Sequence, residues 1–281
     1  MVTLARLIEA WNTFFHAPVS LYPLAVFRIC FGVLIAINAV LLLPTVVKRH
    51  LAPDAILTIQ RWEVLYGRRR LTLLNLLPST LSSVYLLVGL CFVAGICLSI
   101  GFFSRVSSFV CFVTLVSLHH RNPSIFHGGD TVMRLMSFLL IFAPSGNGWS
   151  IDAVIIDRWE ATGDPWCLRL MQIQVSIIYL RTVFWKLRGI EWRNGTAVWY
   201  VANCDAYRRF QIPRKIMIPF VVRFMTWSTL AIEFALGTCI WISELRWITM
   251  FLGIFLHLTI EVAMNLQLFS YVMIACLLLF L

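Results

Sequence analysis

The chain has 281 residues, of which 60% are hydrophobic and 13% are charged, and its mean hydropathy is +0.85. These values exclude an ordinary soluble domain and indicate an integral membrane protein, with apolar segments from residue 21 onwards. The formal net charge of +10 fits loops that face anionic headgroups. We therefore expect one integral membrane domain over 1–281, with membrane lipids rather than nucleic acid as partners.

The first residues predict an amphipathic helix. In residues 4–17, LARLIEAWNTFFHA, apolar side chains recur at helical spacing. A helix with this pattern lies in the plane of the membrane interface. We therefore predict an N-terminal interfacial helix. Its apolar side chains are Leu4, Leu7, Ile8, Trp11, Phe14 and Phe15.

Apolar segments suited to a membrane follow. A helix needs about 20 apolar residues to cross the hydrocarbon core, and eight candidate segments occur, of which 106–119 and 131–144 are short. These two short segments predict either two membrane crossings surrounded by other helices or one re-entrant hairpin. The expected fold class is an all-α, polytopic transmembrane helix bundle of about eight segments. The segments are 21–47, 81–104, 106–119, 131–144, 168–187, 216–243, 246–264 and 266–281.

Basic residues are concentrated in two segments. Loop 48–80 and segment 188–215 each hold six lysine or arginine residues, whereas loop 145–166 holds one arginine and four acidic residues. The positive-inside rule places the two basic segments on the cytoplasmic side and loop 145–166 on the opposite side. The basic residues are Lys48, Arg49, Arg61, Arg68, Arg69, Arg70, Arg188, Arg193, Arg208, Arg209, Arg214 and Lys215.

Ionisable side chains within or next to apolar segments are candidates for a site, because a charge at the bilayer centre costs roughly 2.5 to 3.5 kcal/mol. Asp130 and Arg134 open the fourth segment four residues apart, which places them on one helix face. They indicate either a local ion pair or a functional carboxylate and arginine. The preceding loop HRNPSIFHGGD, with its proline, glycines and histidines, favours function.

The fifth segment carries the group best suited to chemistry, Lys186. It ends a series of polar residues spaced by seven, and Arg181 belongs to a second such series on another face. Polar stripes of this kind point into a bundle. Desolvation beside Trp185 would leave part of the Lys186 amine neutral and able to act as a base. The alternative is that Lys186 and Arg188 extend to the headgroups while the rings form an interfacial belt.

Two later segments add polar groups. His257 and Glu261 lie four residues apart, so the carboxylate could orient the imidazole as a second proton relay. A histidine satisfied within the core is the alternative. Glu233 is expected to line the same cavity as Lys186. The histidines show no metal-ligand spacing, so no metal is expected.

Four blocks of sequence carry a family resemblance, and the third contains the pattern Lys-Leu-x-Gly-x-x-Trp-x-x-Gly from Lys186 to Gly195. The blocks are GFFSRVSS at 101–108, RNPSIFHGGDTVMRLMSFLLIFAPSGNGWSID at 121–152, IYLRTVFWKLRGIEWRNGTAVWY at 178–200 and HLTIEVAMNLQLFSYVM at 257–273. In this order they resemble the HTTM (horizontally transferred transmembrane) superfamily. That superfamily includes the membrane domain of vitamin K-dependent gamma-carboxylase and many bacterial proteins.

The resemblance implies a role for Lys186. In the carboxylase a lysine at this position is regarded as the base that deprotonates reduced vitamin K. The resemblance therefore implies a reduced quinone, similar to vitamin K hydroquinone, as the cofactor or lipid-soluble substrate. The expected catalytic residues are Lys186, His257 and Asp130. The expected substrate-binding residues are Arg134, Arg181, Trp192, Glu233 and Glu261.

The chain also departs from the carboxylase. Asp130 stands where the carboxylase has a histidine, and the sequence ends at Leu281 without a large extramembrane domain for a protein substrate. Gamma-carboxylation of a propeptide-bearing protein is therefore not expected. The basic residues predict that the loop after Lys186 is cytoplasmic, whereas the carboxylase works in the lumen.

These observations predict a multi-pass membrane enzyme, in a bacterial cell membrane, that uses Lys186 as a base on a quinol-like lipid. Its chemistry would be of the oxidation, epoxidation or carboxylation type. The alternative is a non-catalytic accessory factor for maturation or export of a secreted peptide toxin, similar to sporulation-delaying proteins. A transporter is a third class, but the sequence shows no inverted repeat.

Overall fold

The protein is all-α, as the sequence predicts. Beside the helices, the described residues hold one two-stranded antiparallel ribbon, β1 (Val19–Ser20) with β2 (Thr162–Gly163). The predicted basic residues Arg68, Arg69, Arg70 and Arg214 lie outside the described residues. A computed structural model describes residues 4–43, 45–55, 58, 61, 64, 72–157, 159–213 and 215–281.

The helices follow the predicted segments in chain order. Within the described residues, five helices are long and apolar enough to cross a membrane: Tyr22–Leu41, Leu81–Ile100, Trp166–Lys186, Pro219–Gly237 and Ser243–Ala263. The two predicted short segments are also helical, over Ser104–Arg121 and Gly128–Leu140. The bounds are α1 Leu4–His16, α2 Tyr22–Leu41, α3 Leu81–Ile100, α4 Ser104–Arg121, α5 Gly128–Leu140, α6 Ile151–Ile155, α7 Trp166–Lys186, α8 Ile190–Arg193, α9 Ala197–Ala202, α10 Pro219–Gly237, α11 Ser243–Ala263 and α12 Phe269–Leu277.

The chain forms two compact units, Met1–Leu170 and Met171–Leu281. The boundary falls within α7, one turn after its first residue. The single domain expected over 1–281 stays a prediction.

In the first unit, α2 packs closely against α3 because glycines lie where the two helices meet. A Cβ built on Gly32 would lie 2.5 Å from the backbone nitrogen of Ser99 and 2.7 Å from the carbonyl oxygen of Gly95. In membrane proteins, small residues let two helices approach closely. Van der Waals packing then holds the helices together, because the hydrophobic effect does not act between them in lipid.

Arg28 is a structural group of the first unit. Its side chain is fully buried, and its guanidinium donates to the carbonyl oxygens of Ser145 at 3.0 Å and Trp149 at 2.5 Å. Gly101 follows α3 with a φ of +71°, and a Cβ there would lie 2.0 Å from Arg28 Nη1. This intramembrane arginine therefore anchors the loop after α5.

The β1–β2 ribbon fixes one end of the first unit. It brings residues just before α2 next to residues just before α7, and Nδ1 of His16 lies 3.1 Å from the Asp164 carboxylate. The beginning of α2 and loop 145–166 therefore lie at the same end of the first unit. Which membrane face this end occupies stays a prediction.

In the second unit, α10 packs on α11 and α11 packs on α12. Polar side chains attach α7 to this group. Gln172 donates through Nε2 to the Leu279 carbonyl oxygen at 2.7 Å, and Trp241 donates through Nε1 to Ser176 Oγ at 2.8 Å. These contacts fix the orientation of α7, and they place its last residue, Lys186, beside α10.

Candidate functional site

Lys186 forms an ion pair with Glu233 of α10. Its Nζ donates to Glu233 Oε1, and the side chains are only 21% and 9% exposed. The Trp192 ring centroid of α8 lies 4.6 Å from Nζ, which is within cation–π range. The amine is therefore held largely away from water, beside a carboxylate and an aromatic ring.

The turn after α7 explains how Trp192 reaches Lys186. Gly189 begins α8 as its N-cap, and a Cβ at this position would lie 3.2 Å from Trp192 Cδ1. Glycine thus leaves room for the indole to fold back over the lysine. The Lys-Leu-x-Gly-x-x-Trp spacing therefore has a direct geometric role.

The Glu233 carboxylate has one oxygen left over. Oε1 accepts from Lys186, while Oε2 is buried and has no hydrogen-bond partner among the described residues. A buried carboxylate oxygen without a partner is rare in native proteins, because its desolvation is not offset. Oε2 is therefore an acceptor available to a ligand.

Tyr179 and His257 form a second buried polar pair in this unit. The Tyr179 hydroxyl lies 2.8 Å from His257 Nε2, and the residues are both 3% exposed. His257 Nδ1 is buried without a hydrogen-bond partner in the described part of the chain. Sequence reasoning did not select Tyr179 as a site residue. Its position seven residues before Lys186, hence on one face of α7, was the available signal.

The expected pairing of His257 with Glu261 does not occur. The His257 imidazole is hydrogen-bonded to the Tyr179 hydroxyl, while Glu261 Oε1 accepts from Arg209 Nη2 at 2.7 Å. Arg209 also donates to the Met264 carbonyl oxygen at 3.3 Å. Helical spacing permitted the His257–Glu261 contact, but a loop arginine competes for the carboxylate. Glu261 therefore fixes the end of α11.

Arg181 does not point inward as predicted. It is exposed, and its guanidinium carbon lies 5.8 Å from the Trp185 ring centroid on the same helix. Five residues separate Arg181 from Lys186, which turns the two side chains well apart around a helix with 3.6 residues per turn. The structure thus brings Lys186, Glu233 and Trp192 together and leaves Arg181 apart.

Asp130 belongs to the first unit, where it caps α5. Its Oδ2 accepts from the His127 backbone N–H at 2.9 Å, and His127 Nδ1 accepts from the Gly129 backbone at 3.1 Å. Asp130 Oδ1 lies 3.9 Å from Nε2 of buried His119. Arg134 donates to Thr131 Oγ1 at 3.3 Å. Participation of Asp130 and Arg134 in a site with Lys186 stays a prediction.

The apolar helices and intramembrane polar pairs define a multi-pass membrane protein. The sequence profile of the HTTM domain matches residues 16–281, so the chain belongs to the HTTM domain family. This confirms the family inferred from the four blocks. No group of three or more metal-ligating side chains occurs within the described ranges.

Two relatives from Bacillus subtilis extend this comparison. The chain is 23% identical to sporulation-delaying protein SdpB over 228 residues, which cover 72% of this chain and 70% of SdpB. It is 27% identical to uncharacterized protein YitO over 168 residues, which cover 56% of this chain and only 54% of YitO. No solved structure is significantly similar to the chain.

Proposed function

We propose that this HTTM protein binds a quinol-like, lipid-soluble substrate in its second unit and removes a hydroxyl proton from it. The observation that carries the proposal is the Lys186–Glu233 ion pair, whose Oε2 is buried and unpartnered within the described residues. This arrangement supplies a proton acceptor and a fixed positive charge at one point of an apolar helical unit.

The free energy of burying two charges favours a catalytic role for the ion pair over a purely structural one. Removing two charges from water costs several kcal/mol for each ion, and their attraction offsets this only with good geometry and further hydrogen bonds. Glu233 lacks one of those hydrogen bonds. Two apolar side chains would stabilise the same helix contact equally well, so the pair serves a purpose beyond stability.

A quinol fits the groups that remain available. One hydroxyl would donate to Glu233 Oε2, and the Trp192 ring beside Lys186 offers an aromatic face for a planar ring. His257 Nδ1 is a second buried atom without a partner in the described chain, which suits a molecule with a second hydroxyl. The apolar surroundings suit a lipid-soluble substrate.

The Lys186–Glu233 pair, rather than either residue alone, is the base that accepts the substrate proton. The pair can exist as a Lys186 ammonium beside a Glu233 carboxylate, or as a neutral Lys186 amine beside a Glu233 carboxylic acid. Both forms hold the same number of protons. When a substrate hydroxyl gives up its proton, both forms lead to protonated Lys186 beside protonated Glu233. The electron pair of the broken O–H bond stays on the substrate oxygen, whose charge the Lys186 ammonium stabilises.

Glu233→Gln tests the proposal. The substitution keeps the size of the side chain but removes the charge that accepts the hydroxyl proton. We expect the quinol extracted with the purified protein to fall about tenfold, since a hydrogen bond to a charged group contributes about 1.5 kcal/mol or more. The measurement is the quinol-to-protein ratio in lipid extracts, by liquid chromatography and mass spectrometry.

Glu244→Gln is the control, because Glu244 is an exposed carboxylate in the first turn of α11 and is not among the expected site residues. This variant should keep the wild-type quinol content. Equal quinol content in the wild type and in both variants would remove the proposed site. Circular dichroism of each variant verifies that the helices remain folded.

A second function is favoured by the similarity to SdpB, whose name links it to sporulation delay. On this proposal the chain is an accessory factor for a secreted peptide. Affinity purification from membranes, with a small exported precursor encoded beside the protein as the target, tests it. Capture of that precursor by the Glu233→Gln variant would favour the accessory role, because this role needs no proton acceptor at Glu233.

A further inference from the structure

The N-terminal helix α1 has two distinct faces. Leu4, Leu7, Ile8 and Trp11 recur at helical spacing and are between 52% and 73% exposed. The opposite face carries Arg6, Glu9, Ala10 and Thr13 at the same spacing. None of the described residues of α1 is buried. An amphipathic helix with an uncovered apolar face binds at the membrane interface, with that face among the lipid chains.

The elements next to α1 also indicate that it lies at the depth of the membrane interface. The β1–β2 ribbon lies directly before two apolar helices, α2 and α7, so this end of the first unit is where both enter the membrane. Exposed aromatic side chains surround it, as expected for an aromatic belt at headgroup level. They are Trp11, Tyr22, Trp149 and Trp166.

A cavity opens between the polar face of α1 and the first turn of α7. Its volume is about 670 Å³, within the range of sites for small ligands. Arg169 is fixed there, since its Nε donates to the Phe14 carbonyl oxygen at 3.3 Å and its Cζ lies 5.0 Å from the Phe14 ring centroid. The cavity is lined by Arg6, Glu9, Ala10, Thr13, Phe14 and Arg169.

The lining has the chemistry of a headgroup site. Two guanidiniums and one carboxylate give it a net positive charge, and guanidinium is the side chain that binds phosphate by paired hydrogen bonds. Glu9 and Thr13 can accept hydrogen bonds from hydroxyls on the same ligand. Because the cavity lies at headgroup depth, a membrane lipid reaches it without leaving the bilayer.

We propose that this cavity binds an anionic phospholipid with a phosphoglycerol headgroup. The phosphate lies between Arg6 and Arg169, and the glycerol hydroxyls face Glu9 and Thr13. The lipid chains run beside the apolar face of α1. The bound lipid thereby attaches α1 to the beginning of α7, and the cavity selects the headgroup by charge and by hydroxyl donors.

Competition between two lipids tests the site. The purified protein is exchanged into detergent with equal amounts of phosphatidylglycerol and phosphatidylcholine, and retained lipid is counted by native mass spectrometry. We expect the wild type to prefer phosphatidylglycerol. Arg6→Gln should lower that preference on the order of fivefold, since one basic side chain at a membrane surface contributes about 1 kcal/mol to anionic lipid binding.

Two further variants separate this cavity from general surface charge. Arg105→Gln removes another exposed arginine of the same unit that does not line the cavity, and it should keep the preference. Ala10→Phe fills the cavity while retaining both arginines, and it should lose the preference. The proposal is overturned if the wild type shows no preference, if Arg105→Gln lowers it as much as Arg6→Gln, or if Ala10→Phe retains it.

Discussion

Lys186→Met is expected to lower the free energy of unfolding of the second unit by about 3 kcal/mol. It leaves Glu233, which is 9% exposed, as a buried charge without its partner. Breaking a buried ion pair from one side costs about 3 to 5 kcal/mol, and Lys186 is still 21% exposed, so the lower end applies. Chemical denaturation in detergent, followed by far-ultraviolet circular dichroism, measures the change.

The double variant Lys186→Met/Glu233→Leu shows whether the pair serves stability or chemistry. Replacing both charges with apolar side chains of similar size should restore stability to near the wild-type value. The restored protein should still lack bound quinol. Recovery of stability together with quinol would overturn the proposed site, because binding would then need neither charge.

Arg188→Met is the control for Lys186→Met. Arg188 is exposed, and its guanidinium carbon lies 4.3 Å from the Phe184 ring centroid and 4.8 Å from that of Trp185. Exposed cation–π contacts contribute about 0.5 to 1 kcal/mol. If Lys186→Met costs no more than this control, then the Lys186–Glu233 pair is open to solvent rather than buried.

Gly32→Ala is expected to destabilise the first unit by about 1 to 3 kcal/mol, the usual cost of overpacking a close contact. The added methyl group would lie 2.5 Å from the Ser99 backbone nitrogen and 2.7 Å from the Gly95 carbonyl oxygen. Backbone atoms cannot rotate away as side chains can, so α2 must move from α3. Thermal unfolding in detergent measures the loss, and it should be seen with Gly95→Ala as well.

Gly89→Ala provides a matched control on α3. A Cβ at Gly89 meets nothing within 4 Å, and alanine is favoured over glycine in a helix by up to about 1 kcal/mol. This variant should therefore be as stable as the wild type or more stable. If Gly32→Ala and Gly89→Ala unfold at the same temperature, the close packing of α2 on α3 does not hold.

Several elements could be predicted because their cause is local. The apolar segment predicted over 81–104 is helical as α3 over Leu81–Ile100. The Thr80 side chain caps its first turn by accepting from the Ser83 backbone N–H, and Gly101 ends the helix at positive φ. Lys186 and Trp192 are also neighbours in sequence. Their contact follows from one turn at Gly189.

The partners of the buried charges could not be predicted in the same way. Glu233 lies 47 residues from Lys186, and the sequence indicates only that both need a polar environment. The two polar series of α7 point to different faces, and periodicity alone cannot tell which one other helices cover. Glu261 could equally pair with His257 or with a distant cation, and the loop around Arg209 decided the outcome.

The sequence by itself determined the class of protein, the positions of its apolar helices and the family, because these depend on composition, segment length and short motifs. The tertiary structure alone decided that the Arg181 side chain is exposed. It also decided that Lys186 pairs with Glu233 and that His257 is hydrogen-bonded to Tyr179. Those contacts join residues far apart in the chain. They form only where helix packing leaves two polar groups with no better partner.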